Sequence, residues 1–166
     1  MKKTIVCFLV VLGLAALAQA QRLPQTAVPD SYKLTFSPNF TTDTFGGDEV
    51  IQVKVSKPTS KIVLNAAEIK FANVTIDAGG KSQTANVATD EKNETATLTV
   101  PIEIPAGAAT IHIKYTGILN DKLRGFYLSK SGNRKYAVTQ FEATDARRAF
   151  PSWDEPDYKA TFDISI

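Results

Sequence analysis

The sequence predicts an all-β domain, a curved, saddle-like antiparallel multi-sheet β-sandwich. Three observations carry this. Apolar side chains recur at every second position in segment after segment, and glycine and proline clusters separate those segments. Past residue 20, no stretch of about twelve residues keeps a helical period. Successive strand side chains point to opposite faces, so each segment has one apolar and one polar side. Sheets packed on one side and wet on the other are typically antiparallel.

The first twenty residues stand apart from this pattern. Lys2 and Lys3 precede an apolar run from Ile5 to Ala18, which ends in Ala18-Gln19-Ala20. A positive start, an apolar middle and small residues at the cut are the layout of a secretory signal peptide. The rival reading is a retained anchor, but the run is shorter than the ~20 residues that span a bilayer. The sequence therefore predicts a signal peptide over residues 1–20, a mature chain from Gln21 without a membrane anchor, and a secreted or periplasmic location. The lysine-led signal is of bacterial type.

The strand segments follow in order. Tyr32, Leu34 and Phe36 alternate with Lys33 and Thr35, and Ile51, Val53 and Val55 with Gln52 and Lys54. Val74 and Ile76 bracket Thr75, and Leu98 and Val100 bracket Thr99. Ile111, Ile113 and Tyr115 alternate with His112 and Lys114. Phe162, Ile164 and Ile166 alternate with Asp163 and Ser165, which predicts a final strand ending on a core-facing isoleucine. A strand pattern that stops there predicts a domain, residues 21–166, cut short at its C-terminal end.

Turns are expected at Gly46-Gly47, Lys57-Pro58, Gly79-Gly80, Pro105-Ala106-Gly107 and Ser131-Gly132-Asn133. A short helical turn is expected between Thr144 and Phe150, with Thr144 or Asp145 as its N-cap. No internal repeat or low-complexity tract is visible.

Composition excludes several functions. The 166 residues are 43% hydrophobic and 22% charged, ordinary values for about one globular domain. Of 19 basic residues, Lys2 and Lys3 leave with the signal, so 17 face 17 acidic ones. Without a basic run there is no footprint for nucleic acid. The single cysteine, Cys7, lies in the signal, and His112 is the one histidine. Neither a disulfide framework nor a His/Cys zinc cluster can be assembled, and no metal is expected to bind this chain. His112 falls on the polar side of its strand and reads as a solvated residue. Asn39, Asn73 and Asn93 each begin an N-x-Thr sequon; with a bacterial-type signal they read as turn or strand residues.

The stretch from Gly125 to Tyr158 is the most informative. A strand through Thr139-Gln140-Phe141-Glu142 runs into Ala143-Thr144-Asp145-Ala146-Arg147-Arg148-Ala149-Phe150-Pro151-Ser152-Trp153-Asp154-Glu155-Pro156. A loop dense in charges and aromatics, stiffened by two prolines, is a place for function or for a tight interface. Asp145, Arg147, Arg148, Asp154 and Glu155 can pair with one another.

This run resembles the amino-terminal domain of the zinc aminopeptidases of the aminopeptidase N and puromycin-sensitive group, which are gluzincin metallopeptidases. There T-Q-F-E leads into A-T-D-A-R-R-A-F-P-C-W-D-E-P, and Ser152 stands here where a cysteine is usual. Leu23-Pro24, Val28-Pro29, Tyr32, Phe45-Gly46, Pro58-Thr59, Ile62-Val63-Leu64-Asn65 and Tyr115-Thr116-Gly117 agree as well. The resemblance implies a complete protein that removes amino-terminal residues from peptides. Its Zn2+ would be held by H-E-x-x-H and a distant glutamate in a separate catalytic domain, which would be the partner of this one. This chain carries neither H-E-x-x-H nor the G-x-M-E-N segment, so no catalytic or metal-binding residue is assigned to it. Alone it is expected to be inactive.

Two residues carry over as substrate-binding. Gln140 and Glu142 match the Q-x-E pair with which the family's first domain reaches the cleft. On a strand, positions i and i+2 point the same way. The carboxylate suits the substrate's free ammonium and the amide its first side chain. Two other readings stay open: a stand-alone, non-catalytic β-sandwich binding module, and a scaffold relative without zinc chemistry.

Overall fold

The computed structural model describes residues 22–166, and the expected signal peptide, residues 1–20, lies outside the described residues. Among the described residues are eleven strands: β1 (Ala27–Asn39), β2 (Thr44–Val55), β3 (Thr59–Asn65), β4 (Lys70–Ala78), β5 (Lys81–Thr84), β6 (Asn86–Asp90), β7 (Thr95–Ile104), β8 (Gly107–Ile118), β9 (Gly125–Ser131), β10 (Arg134–Gln140) and β11 (Thr161–Ser165). A 3-10 turn at Ala146–Arg148 separates the last two. The all-β expectation is met.

The strands form three sheets. A six-stranded sheet runs β11-β1-β2-β8-β4-β5, a three-stranded one β3-β7-β6, and β9 pairs with β10 alone. The predicted alternation becomes burial. Tyr32, Leu34, Phe36, Ile51, Val53, Val55, Val74, Ile76, Ile111, Ile113 and Tyr115 turn inward from the large sheet. Ile62, Leu64, Leu98 and Val100 come from the three-stranded sheet and join the same core. Phe126 meets Phe36 and Phe45 edge-on in this core, with ring centroids 5.3 and 5.0 Å apart, and ties β9 to β1 and β2.

Three expectations are corrected. Gly46-Gly47 makes no turn; both residues lie inside β2 and pair with β1 and β8. At Gly47 the Tyr115 ring of β8 needs the room, which a propensity argument about one segment misses, whereas Gly46 has only Ser37 Cβ nearby. β11 pairs with β1 in parallel, against the antiparallel expectation. It reaches β1 from the 3-10 turn through an extended run, so no tight hairpin dictates its direction. Phe162, Ile164 and Ile166 are more than half exposed, so Ile166 does not face the core. Only Phe162 gains a partner, stacking on Tyr32 at 4.8 Å with its ring nearly parallel. His112 stays on the polar side of β8 as expected, with its side chain 41% exposed, and its Nε2 meets Asp77 Oδ2 at 3.0 Å across the β8–β4 pair.

The remaining turns fall as expected. Gly79-Gly80 closes β4 onto β5, and Gly132-Asn133 closes β9 onto β10. Asp145 occupies the N-cap position of the 3-10 turn, but its side chain caps no backbone amide. Its Oδ1 instead accepts from Arg148 Nε at 2.8 Å.

Candidate functional site

Strand β10 delivers Gln140 as its last residue, paired with Gly125 of β9. Gln140 is exposed. The chain then leaves the sheet: Phe141 turns inward, where its ring meets Phe150 edge-on at 5.9 Å. Glu142 follows in a turn, exposed, with a cis peptide to Ala143. Glu142 is thus beyond the end of β10, and the strand argument for the i, i+2 pair does not describe it. Both side chains stay on the surface, separated by a partly buried aromatic anchor. The turn closes when the Asp145 amide donates to the Phe141 carbonyl at 2.9 Å.

Two arginines hold this turn in place. Arg147 donates from Nε to Asp154 Oδ2 at 2.8 Å and from Nη1 to Glu94 Oε2 at 3.3 Å. Arg148 meets three carboxylates: Asp145 at 2.8 Å, Glu68 at 3.1 Å, and Glu94. Its side chain is only 9% exposed. Burial opposes the Arg148 charge, and Asp145, Glu94 and Glu68 outweigh that cost and raise its pKa above the ordinary arginine value. Gly125 belongs to the same contact. A Cβ there would stand 2.6 Å from Arg148 Cβ, and its φ of +68° suits glycine in any case. The rung that carries Gln140 therefore packs directly on Arg148.

The anticipated pairs Arg147–Asp154 and Arg148–Asp145 are present. Glu155 does something else: its Oε1 accepts from the Leu23 amide at 2.6 Å. Glu68 and Glu94 were not foreseen. They come from the β3–β4 and β6–β7 connections, with φ of +59° and +51°, and nothing in their local sequence signals an arginine partner. A cavity of about 500 Å³ opens over this network, lined by Glu68, Asp90, Glu91, Glu94, Arg124 and Arg148. Neither Gln140 nor Glu142 lines it.

The segment after the 3-10 turn is bound to both the three-stranded and the six-stranded sheet. Asn65 at the end of β3 exchanges backbone bonds with Ser152 at 2.7 and 3.0 Å, and its Oδ1 accepts from the Asp154 amide at 3.1 Å. From the large sheet, Tyr115 donates its hydroxyl to the Ala149 carbonyl at 3.0 Å, and the Trp153 amide donates to the Tyr32 hydroxyl at 3.3 Å. Such a surface can present polar groups with fixed spacing. Among the described residues no group of three or more His, Cys, Asp or Glu side chains could hold a metal ion. No described helix is long and apolar enough to cross a membrane.

Comparison with known proteins agrees with these features. Residues 28–166 match the family of the Peptidase M1 N-terminal domain. Aminopeptidase M1-D of Oryza sativa subsp. japonica is 40% identical over 149 residues, covering 87% of this chain and 17% of the relative. Aminopeptidase N of Acetobacter pasteurianus is 41% identical over 152 residues, 89% of this chain and 42% of the relative. The puromycin-sensitive aminopeptidase of Caenorhabditis elegans is 35% identical over 159 residues, 92% of this chain and 17% of the relative. The chain thus spans between about a sixth and two-fifths of these relatives' lengths, and over nearly all of its described residues it belongs to the peptidase M1 N-terminal domain family.

Proposed function

We propose that this chain is the amino-terminal domain of a zinc-dependent aminopeptidase, and that it presents Gln140 and Glu142 to the free amino end of a peptide substrate. The observation that carries the reading is the match of residues 28–166 to a family whose compared relatives are aminopeptidases. The geometry around the two residues is compatible with it. Both are exposed, yet the backbone between them is held by Phe141, packed against the core, and by the arginine network, so their spacing is preset. Preset polar groups bind with less ordering cost than mobile ones. They lie on an open surface, so a facing surface of another domain would be needed to enclose a ligand.

Zinc does not fit the residues of this chain. The lone histidine is bonded to Asp77, and the sequence has no H-E-x-x-H. In this reading the metal, and the water it activates for hydrolysis, belong to a separate catalytic domain. The role of the present chain is to bind and orient. Its proposed route is export, with cleavage after Ala20, to the periplasm or beyond.

The test uses the longest natural polypeptide that contains this chain, purified from the exported fraction. Stoichiometric zinc, hydrolysis of an aminoacyl anilide and an amino terminus at Gln21 are expected. A zinc-free, inactive polypeptide would instead support the stand-alone binding module or the scaffold relative.

A further inference from the structure

Glu49 has no part in the function proposed above, yet it occupies an unusual place. It lies on β2 between Leu34 of β1 and Ile113 of β8, in phase with Ile51, Val53 and Val55. The alternation that aims those three inward therefore aims Glu49 inward as well. It is 0% exposed, and neither Oε1 nor Oε2 has a hydrogen-bond partner. Ionised carboxylates are rarely buried without a partner, because losing water costs far more than apolar contact returns.

Its surroundings connect it to the 149–153 segment. Tyr115 of β8 stands opposite Gly47, and Tyr32 of β1 opposite Ile51, so the two phenols sit one inward position to either side of Glu49. Burial raises both phenols most; at Tyr32 the hydrogen bond from the Trp153 amide offsets part of this, and the charge of Glu49 raises both, with smaller contributions from Asp154 at Tyr32 and Asp48 at Tyr115. These are the titratable groups that face it. Among the described residues no lysine, arginine or histidine pairs with it, and the other buried polar side chains are Asn65 and Ser152. The same two phenols fasten the segment: Tyr115 through the Ala149 carbonyl, Tyr32 through the Trp153 amide.

We propose that Glu49 is a protonation-controlled latch for residues 149–153: neutral, it leaves both tyrosines bonded to that segment, and ionised, it competes for the Tyr115 hydroxyl proton and loosens the attachment. The competition is local chemistry. A neutral carboxyl has little claim on a phenol's proton, so the Tyr115 hydroxyl goes on donating to the Ala149 carbonyl. An ionised carboxylate is a stronger acceptor. If Tyr115 turns to it, Ala149 loses its partner; if water enters to solvate it, the packing of β2 opens. Either way the segment is held better in acid.

The sign follows from linkage. Burial alone holds the Glu49 carboxyl well above the usual carboxylate range. The folded state then keeps a proton that the unfolded chain releases above about pH 4.5. Stability from this group is complete below that pH and is lost as pH rises toward the folded-state value.

The experiment compares the full chain with Glu49→Gln between pH 5 and 9. It follows the thermal midpoint and the hydrogen-exchange protection of the Trp153 amide, with β8 amides as reference. The wild-type midpoint is expected to fall as pH rises. Trp153 protection should fall by up to about tenfold per pH unit beyond the intrinsic exchange rate, the limit for one proton, and more steeply than in β8. Glu49→Gln should remove both slopes. If the glutamine variant does not fold, Glu49→Leu serves with the same readouts, because it restores the apolar alternation of β2. Parallel pH profiles in wild type and variant would overturn the proposal. Equal loss of protection at Trp153 and in β8 would also overturn it, because the effect would then be global rather than at the latch.

Discussion

The ring of Tyr115 fills the space that a side chain on Gly47 would need: a Cβ at Gly47 would lie 2.1 Å from Tyr115 Cζ. The two residues are register partners on β8 and β2, and the ring crosses the glycine on its way to the Ala149 carbonyl. Gly47→Ala should push the ring aside, break that hydrogen bond and cost roughly 1–3 kcal/mol, as overpacking a close-packed site does. Gly46→Ala is the control. Its nearest neighbour would be Ser37 Cβ at 3.9 Å, so it should leave stability nearly unchanged. Thermal melts of the two variants make the comparison, and equal losses would mean that the ring contact is not what Gly47 provides.

Arg148 should matter more to stability than any exposed ion pair. Its side chain is nearly enclosed and shared among Asp145, Glu68 and Glu94. Arg148→Ala leaves three carboxylates without their common cation. The expected loss is about 3 kcal/mol, the low end for breaking a buried pair, since Glu68 and Glu94 are about one-third exposed. Lys114→Ala removes a pair with Asp48 that is at least half exposed on both sides and should cost less than about 1 kcal/mol. Denaturant midpoints at low and high salt check both, with the Lys114 effect shrinking as salt rises.

In the proposed peptidase, Glu142→Ala should weaken engagement of the substrate's ammonium. Losing one charge-assisted bond costs on the order of 1.5–3 kcal/mol, or roughly 10- to 150-fold in affinity. It should appear mainly as a raised KM, with lower turnover where the scissile bond is misplaced. Gln140→Ala should change the preference among first residues. Neither substitution should lower the melting temperature by much, because both side chains are exposed. A stable Glu142→Ala protein with wild-type kinetics would remove this glutamate from the site.

Strand β11 presents Ile164 at 57% exposure and pairs with β1 on one side. An exposed edge with apolar side chains invites association. Ile164→Lys should therefore lower the tendency of the purified chain to self-associate while leaving its melt in place. Phe162→Lys should cost stability as well, because Phe162 stacks on Tyr32. Sedimentation at several protein concentrations reports the first effect and thermal melts the second. A wild-type chain that stays monomeric at every concentration would show that this edge does not drive association.

Much of the architecture is legible in the sequence. The inward residues of β1, β2, β4, β7 and β8 were readable because alternation is a property of one segment and needs no knowledge of its partner. The same holds for the 3-10 turn after Gln140 and for the hairpin at Gly79-Gly80. The family resemblance was equally local, carried by one continuous motif from Thr139 to Pro156. It also pointed to Gln140 and Glu142, although the expected strand pairing of the two fails at Phe141, where an aromatic anchor pulls the chain into the core.

What lay opposite each segment could not be read the same way. Gly46-Gly47 looks like a turn until the Tyr115 ring of β8 is placed over Gly47. Glu49 looks like one more polar residue beside Asp48, and only the phase of β2 within a sheet covered on that face makes it a buried acid. The arginine network draws Glu94 from 53 residues away, and Trp153 reaches Tyr32 across 121 residues. Sequence pattern records which face of a strand is apolar. Which side chains share an enclosed space, and so which charges pair, which stay orphaned and which strand remains an open edge, depends on distances between segments that come together only when the sheets pack.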